Sequence, residues 1–197
     1  MNYIKLLKSD NPYTISVSVY KKKLFKVQDR VLTLCWEYNS IKPSNKSKKQ
    51  TILAKLFHKR VNAVVRSSFH CDYGFNIHCG ENTFLNYGVI ILDSSPVFIG
   101  DNTDIAPYVC ISCSGHPLNY KQRTTMTLTS KPIKIGNRVW IGAHSFVNAG
   151  VTIGNNSVIG AGSVVTHNIP SDVIAFGSPC KVYRKITNKD LIKNIIH

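Results

Sequence analysis

His116 stands between Gly115 and Pro117, a setting that interrupts regular structure and lets an imidazole face a cleft rather than a core. With an unperturbed pKa near ~6.5, imidazole at such a place can take the proton of a hydroxyl group at neutral pH. Asn86 carries an amide that both donates and accepts, so it can hold a hydroxyl in either sense. Asp72 and Asp93 are carboxylates able to hold a hydroxyl-rich ligand, although Asp93 reads equally well as a structural turn residue. Cys110 and Cys113 form a C-x-x-C that, with His116, sketches a zinc site. No second pair accompanies it, so no metal is expected. Nor do His78, His144 and His167 show the spacing of a three-histidine zinc centre.

These groups need a rigid frame, and the sequence supplies one. From Ile135 to Pro170 the chain reads in sixes, opening on Ile135, Ile141, Val147, Ile153, Ile159 and Val165, with a small or branched residue four places later. That period fits neither the 3.6 of a helix nor the alternation of a single strand. It is the period of a chain coiling with three short flat sides per turn, one aliphatic residue inward from each side, as in hexapeptide β-helices. The repeat begins at Ile77, slips before Ile99, resumes through Ile111, and breaks between Pro117 and Pro132. An insertion of that kind leaves the coil on one face and often carries a site. His116 lies at its mouth.

The N-terminal third differs. Of 25 Lys and Arg, 15 fall in residues 1–66 against three acids, which gives this third most of the formal charge of +15. The asymmetry points to a solvated basic face or to an anionic partner, such as a membrane surface, a phosphorylated substrate or nucleic acid. Tyr13–Val19 alternates as a short strand or an extended segment, and 48–65 has the apolar spacing of an amphipathic helix. This third is expected to cap the coil, since an open first coil exposes aliphatic side chains and strand edges. The expected organisation is a basic, partly helical extension over 1–66, a mainly β solenoid over 67–186 with a loop over 117–132, and a helical tail over 187–197. Six cysteines without an export signal read as free thiols, and the expected location is the cytoplasm. No run is apolar and long enough to span a bilayer.

The motifs then combine. Ser-Gly-His-Pro at 114–117, Pro-Ile-Lys-Ile-Gly-Asn-Arg-Val-Trp-Ile-Gly-Ala-His at 132–144, Val-Ile-Gly-Ala-Gly-Ser-Val-Val-Thr at 158–166 and Gly-Ser-Pro-Cys-Lys-Val-Tyr-Arg at 177–184 resemble the hexapeptide-repeat acetyltransferases of the maltose/galactoside O-acetyltransferase type, over about residues 70–186. The resemblance implies a left-handed parallel β-helix, a homotrimer with sites between subunits, and acetyl-CoA as cosubstrate. It implies acetyl transfer to a saccharide hydroxyl with His116 as general base and Asn86 beside it, without a covalent step on Cys113. Asp72, Asn86 and Asp93 would face the acceptor. Gly142, Ala143, Ala161 and Gly162 would line the pantetheine arm, with a backbone N–H at Gly142–Ala143 stabilising developing oxyanion charge. Thr166, His167, Lys181 and Arg184 would lie near the nucleotide, and Trp140 at the subunit edge. No nucleic-acid partner is expected. The pattern departs from its galactoside relatives at Ser94, where they carry a second acid. An amino sugar, a serine or a surface glycan as acceptor, or a non-catalytic scaffold, are the alternative readings.

Overall fold

A computed structural model describes residues 3–193. The six-residue period becomes a prism of parallel strands with three flat sides. The first side stacks Ala63–Val65, Thr83–Leu85, Asp104–Ile105, Trp140–Ile141, Val158–Ile159 and Val173–Phe176. The second stacks His70–Cys71, Ile90–Leu92, Cys110–Ser112, Phe146–Val147 and Val164–Val165. The third stacks Ile77–Cys79, Val97–Ile99, Ile133–Ile135 and Thr152–Ile153. Strands of two or three residues cannot hold alone. They persist because coils pair in register, Leu85 with Ile105, Ile105 with Ile141 and Ile141 with Ile159, each burying an opening residue. The six openings from Ile135 to Val165 are 0–3% exposed, worth roughly 1.5–3 kcal/mol each.

The polar half of the hexad stitches coils together. Asp101 N–H donates to the Asn137 side chain at 2.9 Å, and Asn137 N–H to the Asn155 side chain at 2.8 Å. The glycine before each Asn is required by this ladder, since a Cβ on Gly136 would lie 2.4 Å from Asn155 Oδ1. The small residue four places on contributes a buried hydroxyl: Ser145 and Ser157 donate to the carbonyls of Gly160 and Pro170 at 3.1 and 2.7 Å. The phase slip also acquires a cause. Ile91 faces Ile111, a coil of 20 residues, whereas Val147 faces Val165, a coil of 18. Early coils thus carry two extra residues. Ile99 faces Ile135, one ordinary coil plus an 18-residue excursion.

Among the described residues the N-terminal third holds three α-helices, α1 (Tyr3–Leu7), α2 (Lys21–Ser40) and α3 (Lys46–Phe57), and a strand β1 (Tyr13–Ser16). The alternating window at Tyr13–Val19 is a strand only to Ser16, after which Val17–Tyr20 turns into a 3-10 helix. The helix read over 48–65 stops at Phe57, where His58 takes a φ of +54°. Ala63–Val65 is already a strand of the first side, so the solenoid starts ahead of residue 67. α2 had not been read from the sequence. It covers the first coil with α3: Tyr38 Oη donates to the Val65 carbonyl, Asn39 exchanges two hydrogen bonds with the Phe69 backbone, and Leu53, Leu56 and Phe57 are buried with the first-coil residues Val65 and Phe69. At the far end Lys181–Lys185 folds back antiparallel on Val173–Phe176. The tail expected to be helical shows only a 3-10 turn at Asn188–Asp190, and 194–197 lie outside the described residues. No described helix is long and apolar enough to cross a membrane.

Candidate active site

The interruption between the second and third sides is built, rather than loose. Ser114–Gly115 pairs antiparallel with Thr127–Ser130, and β1 adds on the other edge of Thr127–Ser130, with Tyr13 opposite Ser130 and Ser16 opposite Thr127. The segment expected as a loop over 117–132 therefore contains a short helix, Tyr120–Arg123, and the middle strand of a three-stranded sheet, Thr127–Ser130, one of whose outer strands comes from the N-terminal third. Beneath it a knot of hydroxyls joins the coil to the sheet: Ser94 Oγ lies 2.7 Å from both Ser114 Oγ and Ser130 Oγ. Ser94 is 1% exposed. A carboxylate at this position would displace that knot, so the departure from the galactoside pattern is structural as well as chemical.

His116 follows this sheet and is exposed. Its Nδ1 lies 3.0 Å from the Thr127 carbonyl oxygen. A carbonyl only accepts, so in the neutral ring Nδ1 carries the proton and Nε2 keeps its lone pair. Arg123 ties down the backbone beside it, donating to the Pro117 carbonyl at 3.2 Å. Thr127 was not among the residues singled out in sequence; the alternation of Thr127-Leu-Thr-Ser was the available signal.

Two carboxylates read as ligand contacts separate in role. Asp93 is 0% exposed, and its Oδ1 accepts from Asp72 N–H at 3.0 Å and Tyr73 N–H at 2.9 Å. Its carboxyl serves the backbone turn at 72–76 and has no face for an acceptor, which corrects its assignment to the ligand. Burial pushes it up to about 7, against the pull of the backbone bonds. Asp72 is half-buried, accepts no hydrogen bond from the described residues, and burial raises it to about 6. Asp72 remains available to a ligand.

Asn86 lies elsewhere. It sits at the corner between the first and second sides, in a column defined by the ladder: Arg66 N–H donates to Leu85 O, Asn86 N–H to Ile105 O, Ala106 N–H to Ile141 O, and Gly142 N–H to Ile159 O. At ~4.8 Å per coil, Asn86 stands two coils, roughly 10 Å, from Gly142. Its Oδ1 accepts from Tyr87 N–H at 2.9 Å, and its Nδ2 donates to none of the described groups. His116 is at the opposite corner of the second side. Five extended residues, Val109–Cys113, separate the two corners, on the order of 15 Å. The structure does not bring Asn86 and His116 together within one chain.

Gly142, Ala143 and Ala161 line the Asn86 corner and its continuation, whereas Thr166 and His167 follow Val164–Val165 of the second side and lie at the corner where His116 stands. Gly142 N–H is committed to Ile159 O at 2.8 Å, so it cannot serve an oxyanion; Ala143 N–H donates to no described group. Gly142 instead permits close stacking, since a Cβ there would lie 2.5 Å from Ala161 N. Ala161 and Gly162 are exposed, with Gly162 at φ +69° and nothing within 4 Å of the place a Cβ would take. Thr166 Oγ1 lies 2.9 Å from His167 Nδ1. Lys181 is exposed, whereas Arg184 is engaged in a two-pronged pair with Asp190, at 2.6 and 2.9 Å. Among the described residues no three His, Cys, Asp or Glu side chains come together as a metal site. Cys113 is 0% exposed, its thiol is raised by burial to about 12, and it donates to the Pro96 carbonyl. A thiol so placed is closed to solvent and held in its protonated form.

Residues 132–167 match the family model described as bacterial transferase hexapeptide (six repeats). The galactoside O-acetyltransferase of Escherichia coli (strain K12) is 46% identical over 80% of this chain and 78% of its own length. The chain belongs to the hexapeptide-repeat acetyltransferases. A galactoside acetyltransferase solved in complex with coenzyme A matches with a TM-score of 0.82 and 38% identity, covering 96% of this chain and 94% of that one. A maltose O-acetyltransferase from Clostridium difficile 630 matches with a TM-score of 0.87 and 36% identity, over 95% and 99% of the two chains. As a hexapeptide-repeat acetyltransferase the chain coils as a left-handed parallel β-helix, against the usual right-handed rule for parallel crossovers.

Proposed function

We propose that this enzyme, an O-acetyltransferase that takes its acetyl group from acetyl-CoA, delivers it to a hydroxyl of a saccharide, with His116 as general base. The observation that carries the reading is the bond from His116 Nδ1 to the Thr127 carbonyl, which leaves Nε2 free to accept the hydroxyl proton. Acetyl-CoA supplies an activated acyl carbon. Ala143 N–H, which donates to none of the described groups and lies next to the corner column, would stabilise charge on the acyl oxygen. The exposed small residues Ala161 and Gly162 leave a channel along the coil with Lys181 beyond it for the nucleotide, and Thr166 and His167, at the other corner of the second side, would reach the nucleotide from a neighbouring subunit. Arg184 reaches a phosphate only by releasing Asp190, an exposed pair of little cost.

The separation of Asn86 from His116 supports a homotrimer in which the two corners of neighbouring prisms meet. Leu118 (95% exposed), Tyr108 (59%) and Trp140 (54%) are large apolar groups at or near those corners, and a meeting of neighbouring corners would cover them. On α2, Phe25, Leu32 and Trp36 form one exposed stripe beside Lys21, Lys22 and Lys26, which supports contact with an anionic membrane surface.

The decisive test is release of coenzyme A thiol in the presence of a saccharide panel. His116→Ala is expected to lower kcat about 10²–10⁴-fold while retaining coenzyme A binding by calorimetry. Unimpaired turnover in that variant would sink the base assignment.

A further inference from the structure

One coil beyond Asn86, on the side away from Gly142, the corner column opens into a groove of about 490 Å³ between α3 and the first side. Three cations converge there, Lys46, Lys49 and Arg66, and no Asp or Glu lines it. Arg66 is exposed and lies beside two aromatic rings, with its guanidinium 5.9 Å from the Phe84 centroid and 5.7 Å from that of Tyr87. Lys49 lies over the Tyr38 ring at 4.5 Å and donates to Ser67 Oγ at 2.7 Å. Among the described residues the ion pair found is Arg184–Asp190, at the other end of the molecule, so the groove's cations have no carboxylate counter-charge. Burial, and after it the charge of Arg66, pulls Lys49 below the ordinary lysine value. Like charges thus share one groove close enough for Arg66 to act on Lys49, an arrangement that an anion would relieve.

We propose that the acceptor is an anionic saccharide whose phosphate or carboxylate is held by Arg66, Lys49 and Lys46 while its reacting hydroxyl lies at Asn86. The inference rests on the saccharide reading above and narrows it. Tyr87 links the two places, following Asn86 in the chain and lining the groove. The rung between Arg66 and Asn86 is ~4.8 Å, a span that one sugar ring bridges. The basic balance of the N-terminal third thereby gains a local use: α3 contributes two of the three cations.

Three acceptors separate the outcomes when offered to the full-length enzyme with acetyl-CoA: an uncharged hexose, its 1-phosphate and the corresponding hexuronate. A higher kcat/KM for a charged acceptor than for its parent supports the proposal, and whichever charged form is preferred identifies the source of the anion. Arg66→Gln is then expected to lower the charged-to-uncharged ratio roughly 10- to 100-fold, as for loss of one charge-assisted hydrogen bond. Lys46→Gln, at an exposed position, should lower the same ratio to a smaller degree. Equal use of charged and uncharged sugars, with a ratio untouched by Arg66→Gln, overturns the groove assignment and leaves the saccharide reading intact. If no saccharide is acetylated, the saccharide reading fails. The groove is then judged by calorimetric titration with hexose 1-phosphate and hexuronate, where binding of neither, or binding unchanged in Arg66→Gln, overturns it.

Discussion

Replacing Asp93 by Asn should change how the stability of the fold depends on pH. Asp93 is fully buried, and its carboxyl is pushed from 3.8 up to about 7 by desolvation, which outweighs the N–H groups of Tyr73 and Asn76 that favour the charged form. Between about pH 4 and pH 7 the folded chain therefore holds a proton that the unfolded chain has released. Stability falls as pH rises through that window and levels off above it. At 1.36 kcal/mol per unit the shift corresponds to roughly 4 kcal/mol, an upper bound because Asp72 lies close and shares the repulsion. An Asn side chain keeps one acceptor for Asp72 N–H and Tyr73 N–H and removes the titration. Urea unfolding at pH 5, 6, 7 and 8, at one protein concentration because subunit association adds to stability, should show the wild-type midpoint drop relative to Asp93→Asn as pH increases. The lowered His58 and His78 tilt both proteins the other way, which the difference removes. A wild-type stability that gains on the variant from pH 5 to 8 would mean that the backbone bonds, and not burial, control this carboxyl.

Gly142→Ala should destabilise the solenoid by about 1–3 kcal/mol, because the new Cβ meets backbone of the next coil at Ala161 and neither can move alone; an unchanged Tm would contradict the stacking argument. Co-sedimentation with anionic phospholipid vesicles at low salt should be seen for the wild type and reduced at least several-fold by the Phe25→Ser, Trp36→Ser pair, which removes two anchors of the α2 stripe. Equal sedimentation of both proteins, or none at low salt, rules out the membrane contact.

How far the sequence could be read depended on whether the signal was local. The hexads at Ile135–Val165 declare their own geometry, since every opening residue meets its counterpart a fixed number of residues on, and the fold followed from them. Asn86 and His116 were also legible by residue type and motif. Their separation was not, because it depends on the count of coil corners between them and on the 18-residue excursion being spent within one coil. α2 escaped for a different reason. Leu24, Val31, Leu34, Cys35 and Tyr38 do repeat at helical spacing, but Phe25, Leu32 and Trp36 interleave a second apolar stripe, and two stripes blur the amphipathic contrast that identifies a helix. Asp93 was ambiguous because a carboxylate's use depends on which way it faces. Its neighbours Asp72 and Tyr73 turn their N–H groups onto it, and that closure is made by a tertiary turn with no period to announce it. The groove at Arg66 combines both difficulties: α3 and the first side lie at separate places in the sequence, and only their packing shows that the cations they bring face one another without a carboxylate between them.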